Sequence, residues 1–168
     1  MESTNKSILY FQITDVWKRH CELHSELFDL TCDEYSLLLK SDLDNLEKKI
    51  EEKNYILSVI RDNEIIRDEV VAKIKTSSNE KEVTNIKDVI SFFSDFEPEM
   101  KDKHLYRFNE LLIDIIGKIQ DQNKKNQIFI NKAINSLRAI REDATGKQTV
   151  NTYNAQGKTQ SRLLEKSP

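Results

Sequence analysis

The sequence predicts an all-α protein: an antiparallel bundle of long coiled-coil-like helices, three long and one short, followed by a flexible C-terminal tail. Neither glycine nor proline occurs between Met1 and Glu97, although the turns of β-sheets usually need them. Apolar residues also recur at alternating spacings of three and four, which is the period of coiled-coil and bundle helices. Charged residues make up 33% of the chain, as expected for long helices that bury one stripe and solvate the rest.

The first predicted helix runs from about Ser7 to Lys40. Its seam consists of Leu9, Ile13, Val16, His20, Leu23, Leu27, Leu30, Glu34 and Leu37. Ser41 and Asp42 interrupt this pattern, and both are good N-cap residues. Asp44 follows Ser41 at the spacing of a capping box, so a second helix is expected to start here.

The second predicted helix runs from about Asp42 to Lys75. Its seam consists of Leu43, Leu46, Ile50, Lys53, Leu57, Ile60, Glu64, Arg67, Val71 and Ile74. At ~1.5 Å per residue, each of the first two helices is about 50 Å long. A helix with one apolar stripe needs the matching stripe of a neighbour, and the short break between the two favours an antiparallel hairpin.

A polar connection over residues 76–82 separates the hairpin from the rest of the chain. Thr84 or Asn85 then caps a shorter predicted helix, Ile86 to Phe96, which we expect to fold over one end of the bundle. Pro98 suits the first residue of a last long helix, which is predicted to run to about Glu142.

Gly117 lies inside the last predicted helix, near the point where its apolar seam shifts by about one residue. Glycine is one of the common causes of helix bending. Both a straight helix and a bend near this residue fit the sequence.

The final stretch, residues 144–168, is rich in Thr, Gln and Asn and poor in apolar residues. Its charges sum to +3, which leaves −6 for the preceding residues of a chain whose net charge is −3. Such a composition predicts a segment that is disordered or that folds on binding a partner; an inert tail is the alternative. Two domains are therefore expected, a helical bundle over residues 1–143 and a tail over residues 144–168.

Composition also bounds the class of protein. The near balance of 26 basic and 29 acidic residues argues against nucleic-acid binding. The polar N-terminus lacks the apolar core of a signal peptide, and no apolar run approaches the ~20 residues that cross a bilayer. Cys21 and Cys32 would lie roughly 16 Å apart along one helix, too far for a disulfide. We expect a cytoplasmic protein.

Few side chains are candidates for metal binding or catalysis. His20 and His24 are spaced as in some zinc sites, but no third ligand stands at a motif distance, and His20 is expected to pack in the core. We predict no metal site, no cofactor and no catalytic residue, hence no enzyme, because phosphate loops, nucleophile elbows and Cys-x-x-Cys pairs do not occur. Lys53, Glu64 and Arg67 lie on the second seam, where they either fix the register of the helices or form a polar docking patch.

The end of the last helix and the tail are the candidate partner-binding region. The helix is expected to outrun its neighbours, which leaves an apolar face without an internal partner, and such a face marks an interaction site. The tail adds isolated apolar residues that cannot fold alone. The candidate residues are Phe129, Ile130, Ile134, Leu137 and Ile140 on the helix, and Val150, Tyr153, Gly157, Leu163 and Leu164 in the tail.

The order of these parts resembles one family. The leucines of the first helix that carry the resemblance are Leu23, Leu27, Leu30, Leu37 and Leu38. The second helix contributes Leu43, Leu46, Lys53, Glu64 and Arg67. The Asn-rich last helix adds Asn123, Asn126, Asn131 and Asn135, alternating with Phe129, Ile134 and Leu137, and Thr152 to Gly157 are similar to a Tyr-x-x-x-Gly tail. The chain thus resembles the FlgN-type flagellar export chaperones.

The resemblance implies a cytosolic chaperone for the hook-associated proteins that join the flagellar hook to the filament. Such chaperones prevent premature assembly of their clients and deliver them to the flagellar type III export gate. The clients end in amphipathic helices that would otherwise self-associate, and an exposed apolar helix face can cover them. No nucleic acid and no membrane insertion are expected, whereas a homo-oligomer is possible. The alternative is a self-associating coiled-coil structural or adaptor protein, which has no need of the tail.

Overall fold

The computed structural model describes the backbone of residues 2–78, 83–153 and 159–165, and the side chains of residues 3–78 and 83–146. The helices are α1 (Glu2–Lys40), α2 (Leu43–Ser77), α3 (Ile86–Phe92), α4 (Glu97–Asp102) and α5 (His104–Thr145), and the strands are β1 (Lys147–Tyr153) and β2 (Thr159–Glu165). The prediction of an all-α fold with long packed helices is confirmed for the body of the chain. The chain forms two compact units, residues 1–124 and residues 125–168.

The hairpin of α1 and α2 forms as predicted, but the buried side of α2 and its capping differ. The buried residues of α2 share only Ile60 and Ile74 with the predicted seam, whose Leu43 and Ile50 are exposed; they are Ile56, Ile60, Asn63, Val70 and Ile74. Ser41 adopts a left-handed conformation with a φ of 54°, and its N–H donates to the Leu38 carbonyl oxygen over 3.2 Å. Asp42 is the N-cap of α2, since its carboxylate accepts a hydrogen bond from the Asn45 N–H at 3.2 Å. The expected capping box of Ser41 and Asp44 is therefore wrong, because Ser41 closes α1 and leaves Asp42 as the first residue able to cap α2.

Two apolar clusters form the core of the first unit, and α1 contributes to both. The first contains Leu9, Tyr10, Ile13, Val16, Trp17, Val70, Ile74, Val83, Val89, Phe93 and Leu105. The second contains Leu23, Leu27, Leu30, Ile56, Ile60 and Ile119. Val70 and Ile74, near the end of α2, pack in the same cluster as Leu9, near the start of α1, so the two helices are antiparallel. Leu105 at the start of α5 packs in the first cluster and Ile119 in the second, so the part of α5 within the first unit runs parallel to α1.

The short helices differ from the sequence prediction. The helix α3 ends at Phe92, earlier than the expected Phe96. Its start is a capping box in which the Asn85 side chain accepts from the Asp88 N–H at 3.2 Å, while the Asp88 carboxylate accepts from the Asn85 N–H at 3.0 Å. The predicted choice of Thr84 or Asn85 as the cap is thus settled in favour of Asn85.

Pro98 lies in the first turn of α4, not at the start of the last long helix as predicted. A left-handed residue, Lys103 with a φ of 52°, ends α4, and α5 begins at the next residue. The predicted helix over residues 98–142 is therefore two helices. Gly117 lies inside one unbroken helix, α5.

A strand pair follows α5 where composition predicted a disordered tail. Gly146, with a φ of 66°, ends the helix, and its N–H donates to the Glu142 carbonyl oxygen at 2.8 Å. The strands β1 and β2 then pair antiparallel, from Lys147 opposite Glu165 to Tyr153 opposite Thr159. Thr, Val and Tyr favour strands, which the compositional argument did not weigh. Whether the tail is a domain of its own, starting at residue 144, remains a prediction.

Candidate functional site

The last part of α5 exposes a row of large apolar side chains. Leu137 is 67% exposed and Ile140 is 66% exposed, whereas Ile119 on the first part of the same helix is only 7% exposed. We define the terminal apolar face as the predicted helical residues Phe129, Ile130, Ile134, Leu137 and Ile140. An exposed apolar stripe of this kind is a candidate interaction surface.

The predicted residues of the terminal apolar face differ in their exposure to solvent. Ile134, Leu137 and Ile140 are exposed, and Phe129 and Ile130 are half-buried. Spacings of three and four residues place them along one side of the helix. Ile128 is also exposed, and the sequence analysis missed it because it lies off the apolar seam.

The tail residues of the predicted site cannot be placed at the level of side chains. The backbone puts Val150 and Tyr153 on β1, and Leu163 and Leu164 on β2. Their side chains lie outside the described residues, and Gly157 lies outside them altogether. The structure therefore places the tail directly after the terminal apolar face in the chain but does not test its contacts.

The start of α5 is held by a buried carboxylate that the sequence analysis did not find. Glu99 is only 4% exposed. Its carboxylate accepts hydrogen bonds from the Tyr10 hydroxyl at 2.6 Å and from the backbone N–H groups of Leu105 and Tyr106, both at 3.1 Å. Unpaired N–H groups at a helix start favour a negative charge. Burial, with the hydrogen bond to Glu99, raises the pKa of Tyr10 well above its usual value.

Two polar contacts add to this attachment between α1 and α5. The Trp17 indole N–H donates to the Asn109 side-chain oxygen at 3.4 Å, and the Cys21 thiol donates to the Phe108 carbonyl oxygen at 3.2 Å. Together with Glu99, they fix the first part of the helix whose last part carries the exposed face.

His20 behaves as a core residue. It is 3% exposed, and neither ring nitrogen has a hydrogen-bond partner among the described residues. Burial, the nearby His24 and the positive charge of Arg67 lower the pKa of His20 to about 4, so the ring is neutral near pH 7. His24 Nδ1 lies 2.7 Å from the His20 carbonyl oxygen and donates to it.

Metal-binding geometry was the functional alternative for the two histidines. Within the part of the chain whose side chains are described, no three His, Cys, Asp or Glu residues come together as a possible metal site. The geometry of His20 and His24 is therefore accounted for by packing and by one backbone hydrogen bond.

Lys53 joins three helices in a polar layer of the bundle. Its ammonium group lies 3.1 Å from a Glu34 carboxylate oxygen on α1 and 3.2 Å from the Asn123 side-chain oxygen on α5. Arg67 instead pairs with its neighbour Asp68 at 3.0 Å, and Glu64 is half-buried. Lys53 therefore fits the interpretation that a charged seam residue fixes the register of the helices. The ion pair of Arg67 with Asp68 lies within α2 and does not connect two helices.

The comparisons with known proteins agree with this architecture. The family model described as FlgN protein matches residues 1–161, which include all five helices and most of the strand pair. No curated protein and no solved structure matches the chain. Among the described residues, no helix has the length and apolar character needed to span a bilayer. Because the family match covers nearly the whole sequence, the chain belongs to the FlgN family of flagellar export chaperones.

Proposed function

We propose that this export chaperone acts in the cytoplasm on the hook-filament junction proteins. It binds their C-terminal amphipathic helices, prevents premature assembly and delivers them to the flagellar export gate. Family membership supports the general role. The observation that carries the choice of client is the terminal apolar face, because an amphipathic helix can pack along an exposed helical stripe in the manner of a coiled coil.

The proposed contacts divide between the helix and the tail. Ile134, Leu137 and Ile140 supply the apolar stripe, and a large apolar side chain that becomes buried on binding contributes roughly 1.5–3 kcal/mol. In the tail, the proposed contacts come from the apolar residues Val150, Tyr153, Leu163 and Leu164, together with Gly157. The protein works by binding, and the proposal assigns it no catalytic residue and no cofactor.

Calorimetric titration of a C-terminal fragment of a junction protein tests this proposal. The variant Leu137→Ala/Ile140→Ala should bind at least tenfold more weakly than the unchanged chain, since two exposed apolar anchors are lost. Ile113→Ala is the matched control, because Ile113 is an apolar residue of α5 that is 58% exposed but lies in the first unit. Equal affinity of the double variant and the unchanged chain would refute the assignment of this face.

The exposed face also suits the alternative, a self-associating coiled coil or adaptor. Sedimentation of the purified chain separates the two. A monomer of 19.7 kDa that takes up the client fragment favours the chaperone. A stable dimer that excludes the fragment favours self-association.

A further inference from the structure

Charge is distributed unevenly along this chain. Residues 125–141 contain four basic residues, Lys125, Lys132, Arg138 and Arg141, and no acidic one. The compact unit of residues 125–168 holds eight basic and three acidic residues, a net charge of +5. Because the whole chain has a net charge of −3, residues 1–124 carry a net charge of −8. The terminal apolar face therefore lies in a basic segment of an acidic protein.

Two of the basic side chains lie at the apolar stripe. Helical periodicity places Arg141 within the stripe, one turn after Leu137, and Arg138 on its border, whereas Lys125 and Lys132 lie further round the helix, on the other side. Lys125, Lys132 and Arg141 are exposed and Arg138 is half-buried. Within the part of the chain whose side chains are described, none of the four forms a salt bridge.

We infer that the segment bound by the terminal apolar face is an acidic amphipathic helix, with Asp or Glu beside its own apolar stripe. The inference rests on the proposed function for the location of the site and adds the chemistry of the partner. In paired helices, opposite charges beside the apolar seam select the partner and set its orientation. They also speed association and exclude segments of the same charge.

A basic amphipathic helix can also lie on an anionic bilayer, but the pattern here favours a helical partner. Helices that lie on bilayers carry basic residues across their polar face. In α5 that face carries Asn131, Asn135 and Glu142 at its centre, with Lys125 and Lys132 to one side. The two arginines, Arg138 and Arg141, instead lie at the stripe, where a second helix would pass.

The test uses the full-length chain and two labelled synthetic peptides of about 20 residues, six helical turns. Both carry the same leucine stripe, which Glu borders in one peptide and Lys in the other. Fluorescence anisotropy should show at least tenfold tighter binding of the Glu peptide, and the difference should shrink at high salt because screening weakens exposed charge pairs. The chain's overall negative charge predicts the opposite preference, so the result discriminates.

Charge reversal locates the preference. Arg138→Glu/Arg141→Glu should lose the tenfold preference for the Glu peptide. The matched control, Arg61→Glu/Arg107→Glu, makes the same change in net charge at two exposed positions of the first unit and should keep the preference. If the reversal lowers helicity by circular dichroism, Arg138→Gln/Arg141→Gln replaces it and should lose a smaller part.

Three outcomes would overturn the inference: equal binding of both peptides, a preference that survives the reversal, or binding only to phosphatidylglycerol vesicles. The proposed function fails separately. If a junction-protein fragment binds and the reversal leaves its affinity unchanged, the chaperone proposal stands and the inference is wrong. If the Glu peptide is preferred and no junction-protein fragment binds, the inference stands and the choice of client is wrong.

Discussion

The buried carboxylate of Glu99 is predicted to be one of the most sensitive positions in the fold. Glu99→Gln keeps the size of the side chain but removes its charge and one acceptor oxygen. The remaining amide nitrogen is a donor, and it would face the three donors that Glu99 now satisfies, the Tyr10 hydroxyl and the N–H groups of Leu105 and Tyr106. A hydrogen bond to a charged group contributes about 1.5–3 kcal/mol, and a buried donor left unpaired costs about 1–3 kcal/mol. We expect Glu99→Gln to lower the free energy of unfolding by about 3 kcal/mol.

Urea denaturation followed by circular dichroism measures this loss. Tyr10→Phe provides the second arm of a double-mutant cycle, because it removes the hydroxyl donor and keeps the aromatic ring, which packs edge-on against Phe93 with ring centroids 5.3 Å apart. The coupling between the two substitutions should lie at about 1–2 kcal/mol. Glu110→Gln, at an exposed position of α5, is the control and should change little. A typical surface substitution changes the free energy of unfolding by about 0.5 kcal/mol or less. If Glu99→Gln changes it by no more than that, the carboxylate does not hold the start of α5.

Three further predictions concern pH, helix propensity and the tail. The pKa of His20 is lowered to about 4 from an unfolded value of about 6.5, so the unfolded chain binds a proton first; stability should fall by roughly 2–4 kcal/mol as the pH drops from 6.5 to 4. His20→Leu should reduce this loss of stability between pH 6.5 and 4, whereas His104→Gln should leave it unchanged. Equal pH dependence of stability in the His20 variant and the unchanged chain would contradict the assignment. Gly117→Ala should raise the midpoint of thermal unfolding through a gain of up to about 1 kcal/mol, because an added Cβ would meet no atom within 4 Å; a lower midpoint would mean that Gly117 is needed for a close contact. Deletion of residues 146–168 should leave helicity and melting nearly unchanged and weaken binding of a junction-protein fragment at least tenfold, about 1.4 kcal/mol; equal affinity by calorimetry would make the tail inert.

The long helices were predictable because their signal is local and repeated. The apolar spacing recurs at each turn, so the helices themselves were predicted even though α2 buries Ile56 and Val70 where the predicted seam has Leu57 and Val71. The prediction of His20 as a packed residue succeeded for the same reason, since its place on the seam implied burial. The polar seam residue Lys53 was also interpretable, because a long charged side chain on a seam needs a partner and Glu34 occupies the facing seam.

The corner between α4 and α5 was not predictable, because its cause is not local. Lys103 adopts a left-handed conformation that glycine or asparagine usually marks in a sequence. Glu99 lies close to Glu97 and Lys101 in the chain, and nothing in this local sequence distinguishes a buried carboxylate from a solvated one. Its burial depends on Tyr10, which is 89 positions away in the chain. Only the packed structure brings the two together.

The terminal apolar face shows how one sequence pattern can serve two purposes. The apolar period continues along α5, yet Leu105 is fully buried in the core and Leu137 is mostly exposed. Apolar spacing indicates that a helix packs against a partner surface, but it does not indicate whether that surface belongs to the same chain. The charges add a distinction that apolar spacing lacks, since residues 125–141 contain four basic side chains and no acidic one. In the inference drawn above, an exposed apolar stripe beside basic side chains gives both hydrophobic and electrostatic free energy to its association with an acidic helix.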